Sequence, residues 1–242
     1  MISAVWTALR ICAYKHKVMR VVSLLALNIA AAPKTRARNL LEWLWVQPED
    51  IWVLSDLGSG EGARLILEVC QAADYCVIRS EKVAIIDRTS AATALPTTSP
   101  RTAAAHIAGT RLLGVYGAAS DPVRYSNSSQ RRAKREWLTE FELMLDEYDA
   151  VIGDLNIAPT KSLPYVLDEE VALYGRKTLR DAWGSAPDEP SWVDHTGVGV
   201  RYDQAWVSDR VTVRSCTFDH EPRLAGLTDH SALRVDLAIP RG

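Results

Sequence analysis

The sequence has few cysteines, and their spacing argues against two classes of site. The four cysteines are Cys12, Cys70, Cys76 and Cys216, and no two of them form a Cys-x-x-Cys pair. They do not cluster with histidines in the manner of a zinc site, and their pattern is not that of a disulfide framework. We therefore expect buried, reduced thiols in a cytoplasmic protein.

Long apolar runs and a strong excess of one charge are also missing. No run reaches the roughly 18 residues that a membrane-spanning helix needs, so we expect no membrane partner. The formal net charge of -2 lacks the overall basicity of many nucleic-acid binders, although a cleft can still be locally positive. Residues 1–20 lack the charge order and cleavage site of a signal peptide, and we predict a disordered or helical extension there.

The remaining residues, 21–242, are long enough for one large domain, and 48% of the chain is apolar; we expect a monomer. Short branched runs predict strands at residues 21–29, 51–54, 75–78, 83–86, 111–116, 150–152, 203–207, 211–217 and 232–238. Helical spacing predicts helices at 34–45, 63–72 and 128–148. Residues 89–105 read as a loop, with a strand only at its far end. This order of elements predicts an α/β sandwich.

One predicted strand ends in two short polar side chains. Residues 151–156 read Val-Ile-Gly-Asp-Leu-Asn, and Asp154 and Asn156 point the same way because they are two positions apart. Asp154 can orient or deprotonate a water, and Asn156 can donate hydrogen bonds to a phosphate oxygen without adding charge. Ordinary turns after strands also contain Asp and Asn. This pattern alone therefore does not distinguish a catalytic site from an ordinary turn.

The second signal lies near the C-terminus. Asp229 and His230 are adjacent, just before a predicted strand, so their side chains point to different faces. One of them can reach a metal while the other faces a phosphate. Asp203, at the start of another strand, is suited to hold His230 in one tautomer and to favour its protonated form. Without these partners, an Asp-His pair would be read as a capped turn.

A series of short motifs in order resembles the endonuclease/exonuclease/phosphatase superfamily from residue 21 to the C-terminus. The motifs are Leu27-Asn28, Leu54-Ser55-Asp56, residues 83–88, Tyr116 within residues 114–117, Gly-Asp-x-Asn at 153–156, Arg-x-Asp at 201–203 and Thr-Asp-His at 228–230. The resemblance implies a four-layer α/β sandwich of two mixed, mostly antiparallel sheets flanked by helices. It places the site at one edge, where strand-end loops converge.

The resemblance also implies a metal. The residues that match Asn28, Asp56 and Asp229 would gather around Mg²⁺ (or Mn²⁺), which prefers oxygen ligands and keeps several waters. Two departures stand out: the usual metal-binding Glu is the shorter Asp56, and the usual Ser before Asp229 is Thr228. After Asn28 the chain also lacks a polar residue that abasic-site nucleases tend to carry.

The remaining roles follow from the same resemblance. Asp154 and Asn156 would handle water and phosphate, Asp203 would orient His230, and Tyr116 would lie near the phosphate. We therefore predict a divalent-metal-dependent phosphodiester hydrolase that acts on nucleic acid or another phosphate ester. His230, if protonated, would stabilise charge that develops on the phosphoryl oxygens.

Two alternatives stay open. Residues 56–62 read Asp-x-Gly-x-Gly-x-Gly after an apolar strand, which is typical of the cofactor loop of S-adenosylmethionine-dependent methyltransferases. Such a fold should place a second acid at the end of the next strand, where residues 76–79 read Cys-Val-Ile-Arg. The other alternative is a non-catalytic family member that binds a phosphorylated partner, which the shorter Asp56 favours.

A basic cluster opens the helix predicted at residues 128–148. Arg131, Arg132, Lys134 and Arg135 could contact the backbone of a nucleic acid, but such clusters at a helix start more often form a solvated face. We interpret these four residues as a solvated helix face.

Overall fold

Strands alternate with helices in the first part of the chain. The structure is a computed structural model that describes residues 19–119, 128–161, 163–164 and 166–240. The early strands are β1 (Met19–Asn28), β2 (Ile51–Ser55), β3 (Cys76–Arg79), β4 (Val83–Asp87), β5 (Thr93–Leu95), β6 (Thr102–Ile107) and β7 (Thr110–Tyr116). The later strands are β8 (Ala150–Asp154), β9 (Arg180–Asp181), β10 (Trp192–Val193), β11 (Gly199–Val200), β12 (Asp203–Val207), β13 (Thr212–Asp219) and β14 (Ala232–Pro240).

The helices are α1 (Lys34–Trp45), α2 (Glu61–Ala72), α3 (Ser128–Met144), α4 (Asp168–Arg176) and α5 (Glu221–Leu224). In the described part of the chain, no helix is both long and apolar enough to span a membrane. The extension predicted at residues 1–20 lies outside the described residues as far as residue 18. Strand β1 begins at Met19, two residues before the strand predicted from the sequence.

The strands form two mixed six-stranded sheets. The first has the order β13-β14-β1-β2-β4-β3, the second has the order β5-β6-β7-β8-β12-β9, and β10 pairs with β11 as a separate hairpin. Neighbouring strands are antiparallel except β1 with β2 in the first sheet and β7 with β8 in the second. The predicted sandwich of two mixed, mostly antiparallel sheets is confirmed.

Alternation of side chains along the central strands produces the layers. Leu24 of β1 packs between the two sheets with Ile152 of β8. Leu25, the next residue, points the opposite way and packs against helices α1 and α2. Trp137 and Phe141 of α3 cover the outer face of the second sheet. Burial of each such side chain stabilises the fold by roughly 1.5–3 kcal/mol. The two sheets and the helices on their outer faces therefore form an α/β/β/α sandwich.

The loop predicted at residues 89–105 is wrong at Thr93–Leu95, which forms a strand, whereas the strand expected at its far end is confirmed. This segment contains strand β5 and the start of β6, whose sequence is Thr-Ala-Ala-Ala-His-Ile. Alanine has low intrinsic strand propensity, so β6 forms because it pairs with β7 and is buried between neighbours. The long predicted helix ends at Met144 and is followed by a 3-10 turn at Leu145–Glu147.

The interpretation of the basic cluster is wrong for one of its four residues. Arg132 and Arg135 are exposed, but Lys134 is buried and pairs with Glu170 of α4. The helical repeat explains this difference, because Lys134 precedes Trp137 and Phe141 by three and seven residues. These spacings place all three side chains on the face of α3 that packs on the sheet.

The glycines of residues 56–62 allow the chain to pack against itself. Gly58 is left-handed (φ +63°) beside Ala31, and a Cβ on Gly62 would stand 1.9 Å from the carbonyl oxygen of Ala32. The turn after β1 therefore lies against these glycines. A methyltransferase of the kind considered above would also require a mostly parallel sheet. The two mostly antiparallel sheets rule out that alternative.

Gly62→Ala should destabilise the protein. The new methyl group would overlap the Ala32 backbone, and overpacking of this kind costs about 1–3 kcal/mol. Urea unfolding of both proteins measures the difference. Gly175→Ala is the matched control, because a Cβ there meets nothing within 4 Å and alanine favours a helix interior. Equal stability of Gly62→Ala and the wild type would contradict the packing described here.

Candidate active site

The predicted site residues meet at one edge of the sandwich. Strands β1 and β2 are parallel, as are β7 and β8, so the carboxyl ends of each pair lie at one edge of its sheet. A cavity of about 270 Å³ opens there. Seven of the eight predicted residues line it: Asn28, Asp56, Tyr116, Asp154, Asn156, Asp229 and His230. The eighth, Asp203, lies buried behind His230.

Asp154 is the centre of the hydrogen-bond network. Its Oδ2 accepts hydrogen bonds from the side-chain amides of Asn28 (2.8 Å) and Asn156 (2.9 Å). Its Oδ1 accepts the backbone N–H of Asn156 at 3.0 Å. Burial raises the pKa of Asp154 above its usual range, against the lowering effect of His230 and of these bonds. A carboxylate in this setting is fixed in direction and suited to accept a proton.

His230 lies between two carboxylates. Its Nδ1 is 2.7 Å from Oδ2 of Asp203, and its Nε2 is 3.9 Å from Oδ2 of Asp154. Burial alone lowers the pKa of His230, but Asp203, Asp154 and Asp229 outweigh burial and raise it. The protonated imidazolium is therefore favoured, with Nδ1–H donating to Asp203.

Asn156 differs from the sequence interpretation in one respect. Its Nδ2 donates to the backbone oxygen of Gly117 (3.3 Å) as well as to Asp154. Both amide hydrogens are therefore engaged, and in this structure Asn156 orients Asp154. Donation to a phosphate oxygen stays a prediction, and it requires Asn156 to exchange one of these bonds.

The three predicted metal ligands offer only oxygen atoms to the cavity. Oδ1 of Asn28 accepts the N–H of Ala30 (2.7 Å) and retains a second lone pair. Oδ2 of Asp229, an exposed residue, accepts the indole N–H of Trp192 at 3.0 Å. Two carboxylates and an amide oxygen beside open space suit Mg²⁺, a hard cation that keeps several waters.

A second group of possible ligand atoms fits a metal less well. One atom from each of Asp154, Asp203 and His230 lies within 4.8 Å of the others. The Nδ1 of His230 already shares a proton with Asp203, and a cation bound there would have to displace it. The electrostatics that favour imidazolium oppose a metal at this position. The residues present therefore fit Mg²⁺ better on the side of Asn28, Asp56 and Asp229.

The backbone gives a physical reason for Asp in place of Glu at position 56. Asp56 is left-handed, with φ of 51°, and its carbonyl oxygen accepts the N–H of Ala31 at 2.8 Å. Asp and Asn tolerate this conformation better than longer side chains do. The turn therefore favours the shorter acid.

The sequence motifs missed Ser191, which connects several parts of the site. Its Oγ accepts the backbone N–H groups of Tyr202 (3.0 Å) and Asp203 (2.9 Å). Its carbonyl oxygen accepts the N–H of Ser231 at 2.7 Å. These bonds hold Asp203 and the residue after His230 against the β10 and β11 hairpin. A lone serine before a tryptophan carries no periodic or motif signal that would reveal this role.

Comparison with solved structures supports the fold. The chain is similar to the 3′ phosphatase NExo from Neisseria, determined with a product DNA hairpin (20% identity, 88% of this chain and 98% of that chain, TM-score 0.70). An AP endonuclease from Archaeoglobus fulgidus matches at 18% identity over 88% of this chain and 98% of that one, with TM-score 0.70.

A third solved structure carries the name of the superfamily. It is an endonuclease/exonuclease/phosphatase from Beutenbergia cavernae (16% identity, 91% of this chain and 72% of that chain, TM-score 0.58). Protein-family models and curated proteins gave no match to the sequence. At these identities the likeness shows the fold: the chain has the endonuclease/exonuclease/phosphatase fold, as the motifs predicted.

Thr228→Val should weaken the connection between β1 and the turn that carries Asp229 and His230. The Thr228 hydroxyl donates to the backbone oxygen of Asn28 at 2.7 Å, and valine has the same shape without this donor. The loss should cost about 1–3 kcal/mol in denaturant unfolding. Thr228→Ser keeps the hydroxyl and should retain more of the stability. If both variants lose the same amount, the hydroxyl contributes nothing.

Proposed function

We propose that the chain is a divalent-metal-dependent phosphodiesterase that hydrolyses nucleic acid. The observation that supports this most directly is the buried pairing of Asp154 with His230 at the wall of the cavity. One group is suited to accept a proton and the other to stabilise negative charge, and both face the same open space. The three oxygen donors beside them complete a set of groups suited to phosphate chemistry.

We assign the side chains the roles that their contacts support. Asp154 orients an attacking water and takes its proton as the water oxygen bonds to phosphorus. The ester P–O bond to the leaving oxygen breaks in the same step, and that oxygen takes a proton from solvent. His230 stabilises the charge that develops on the phosphoryl oxygens, and Asp203 holds its ring in place. Asn28, Asp56 and Asp229 would hold Mg²⁺, which when bound supplies a positive charge that polarises the phosphate. Tyr116, which lines the cavity, would contact the phosphate.

Nucleic acid is the preferred substrate class for two reasons. NExo was determined with a product DNA hairpin, and the Archaeoglobus fulgidus protein is named an AP endonuclease. In this chain, Trp192 and Tyr202 line the cavity with their ring centroids 5.7 Å apart. The partly exposed ring of Trp192, packed against the buried Tyr202, offers a surface on which a base or sugar can stack. A cytoplasmic location and a monomeric state stay predictions.

Asp154→Asn should abolish most of the hydrolysis. The amide keeps the size of the side chain but cannot accept a proton, and loss of a general base costs about 10²- to 10⁴-fold in rate. The assay measures cleavage of end-labelled duplex, nicked, abasic and single-stranded DNA, of RNA, and of sphingomyelin and inositol phosphates, with Mg²⁺, Mn²⁺ or a chelator. Chelator should remove the wild-type activity.

Asp209→Asn is the matched control for that assay, because Asp209 is an exposed carboxylate paired with Arg180, outside the cavity. It should cleave at the wild-type rate. A folded wild type that binds these nucleic acids and cleaves none of them would favour the non-catalytic alternative. Cleavage only of sphingomyelin or inositol phosphates would keep the phosphoesterase and overturn the substrate class.

Asp56→Asn should weaken Mg²⁺ binding without disturbing the fold. Asn tolerates the left-handed backbone as well as Asp does, so the change removes one negative charge and leaves the turn intact. Loss of a carboxylate ligand should lower the affinity at least about tenfold. Isothermal titration calorimetry with Mg²⁺ and Mn²⁺ measures it, and thermal unfolding checks the fold. Unchanged affinity would remove Asp56 from the metal site.

A further inference from the structure

A buried ion pair lies between two helices behind the site. Nζ of Lys134 in α3 is 2.6 Å from Oε1 of Glu170 in α4, and the two side chains are 1% and 0% exposed. Removing two charges from water is costly, and a buried pair often contributes no more stability than apolar residues of the same volume. The presence of this pair therefore calls for a reason other than stability.

Glu170 binds more than its lysine. Its Oε1 also accepts the backbone N–H of Leu167 (3.0 Å), at the start of α4. Its Oε2 accepts the backbone N–H of Ala158 at 3.1 Å. Ala158 is two residues after Asn156, so one carboxylate joins both helices to the loop that follows β8.

The same loop is held from the other side by β12 and the residues before it. The N–H of Leu155 donates to the carbonyl oxygen of Tyr202 at 2.9 Å, and the side-chain amide of Gln204 donates to the carbonyl oxygen of Ile157. Asn156 therefore lies between an anchored residue before it, Leu155, and two anchored residues after it, Ile157 and Ala158. Its backbone is left-handed, with φ of 50°. Its side chain and backbone both bind Asp154.

We propose that Lys134 and Glu170 form a positioning pair that holds the loop after β8, and through it Asn156 and the Asp154 carboxylate, in the orientation that the reaction needs. This inference rests on the proposed function. Neither side chain lines the cavity, so the pair acts through the loop and does not contact substrate. Lys134 fixes the direction of the Glu170 carboxylate. The second oxygen of that carboxylate then faces Ala158.

The test uses the double variant Lys134→Met/Glu170→Gln in the full chain. It leaves no unpaired buried charge and nearly preserves volume, so it should fold. The introduced amide has one acceptor oxygen for the two N–H groups of Leu167 and Ala158, and without Lys134 no side chain in the described part of the chain holds that oxygen toward Ala158. The loop should therefore lose this anchor. We expect kcat to fall about 10- to 100-fold, as small misplacements of reacting groups do, with KM changed less than about twofold.

A second measurement does not depend on activity. Amide hydrogen exchange, read by NMR or mass spectrometry, should be about tenfold faster for Ala158 and its neighbours in the double variant, because one hydrogen bond is lost. Residues 24–27 of β1 should exchange at the wild-type rate. If the wild type hydrolyses none of the substrates, the proposed function fails, and the exchange of Ala158 alone decides whether the pair holds the loop.

The matched control is the neighbouring pair on the same two helices. Nε of Arg135 is 2.6 Å from Oε1 of Glu169, with both side chains 45% exposed. Arg135→Met/Glu169→Gln removes this second ion pair between α3 and α4 and should leave kcat and Ala158 exchange unchanged. Equal losses in both double variants would mean that helix docking alone matters. Wild-type kcat and wild-type exchange in the buried double variant would overturn the proposal.

Discussion

The site depends on the hydrogen bond from Asn28 to Asp154, because it joins the ends of two strands that belong to different sheets. The two residues are separated by 126 positions in sequence and 2.8 Å in space. Each lies at the carboxyl end of a strand in a parallel pair, so the topology of each sheet brings the polar side chains at its strand ends to one edge. The packing of the two sheets against each other then brings these edges together.

This arrangement brings several carboxylates together at a site where two of them are buried from water. Asp154 and Asp203 are both buried, and the acid Asp229 is next to His230. Such carboxylates would repel one another unless a positive charge lay among them. A protonated His230 supplies one such charge, and a bound divalent cation would supply more. The same electrostatics explain why the pKa of His230 is raised although the ring is buried.

The sequence predicted most of the central architecture because its signals there are local. Strands β1, β2, β4 and β8 are apolar runs that end in polar residues, and β12 begins with one, Asp203. These polar residues belong to the motifs. Strand β5 was missed, and β6 was expected only as the far end of a loop, because their alanines carry little strand preference and pairing with neighbouring strands makes them strands.

The contacts that support the candidate site were harder to predict than its functional groups. Lys134 and Glu170 stand 36 positions apart, and each resembles an ordinary surface residue of a helix start. Ser191 has no motif, and its role depends on the backbone N–H groups of Tyr202 and Asp203, 11 and 12 positions further along the chain. Side chains that react must carry recognisable chemistry, whereas side chains that position them need only fit their neighbours. A single sequence therefore reveals the first group more readily.

Backbone strain gives an independent sign that this edge is specialised. Ala30, Ala31, Asp56 and Asn156 all have positive φ, and all four stand in the turns that follow β1, β2 and β8. Left-handed alanine costs of order 1 kcal/mol and persists only where other contacts hold it. Here those contacts are with the site itself: Ala30 donates to the side chain of Asn28, and Ala31 donates to the carbonyl oxygen of Asp56. The same turns that strain the backbone aim the candidate ligands into the cavity, so relaxing the strain would move the ligands.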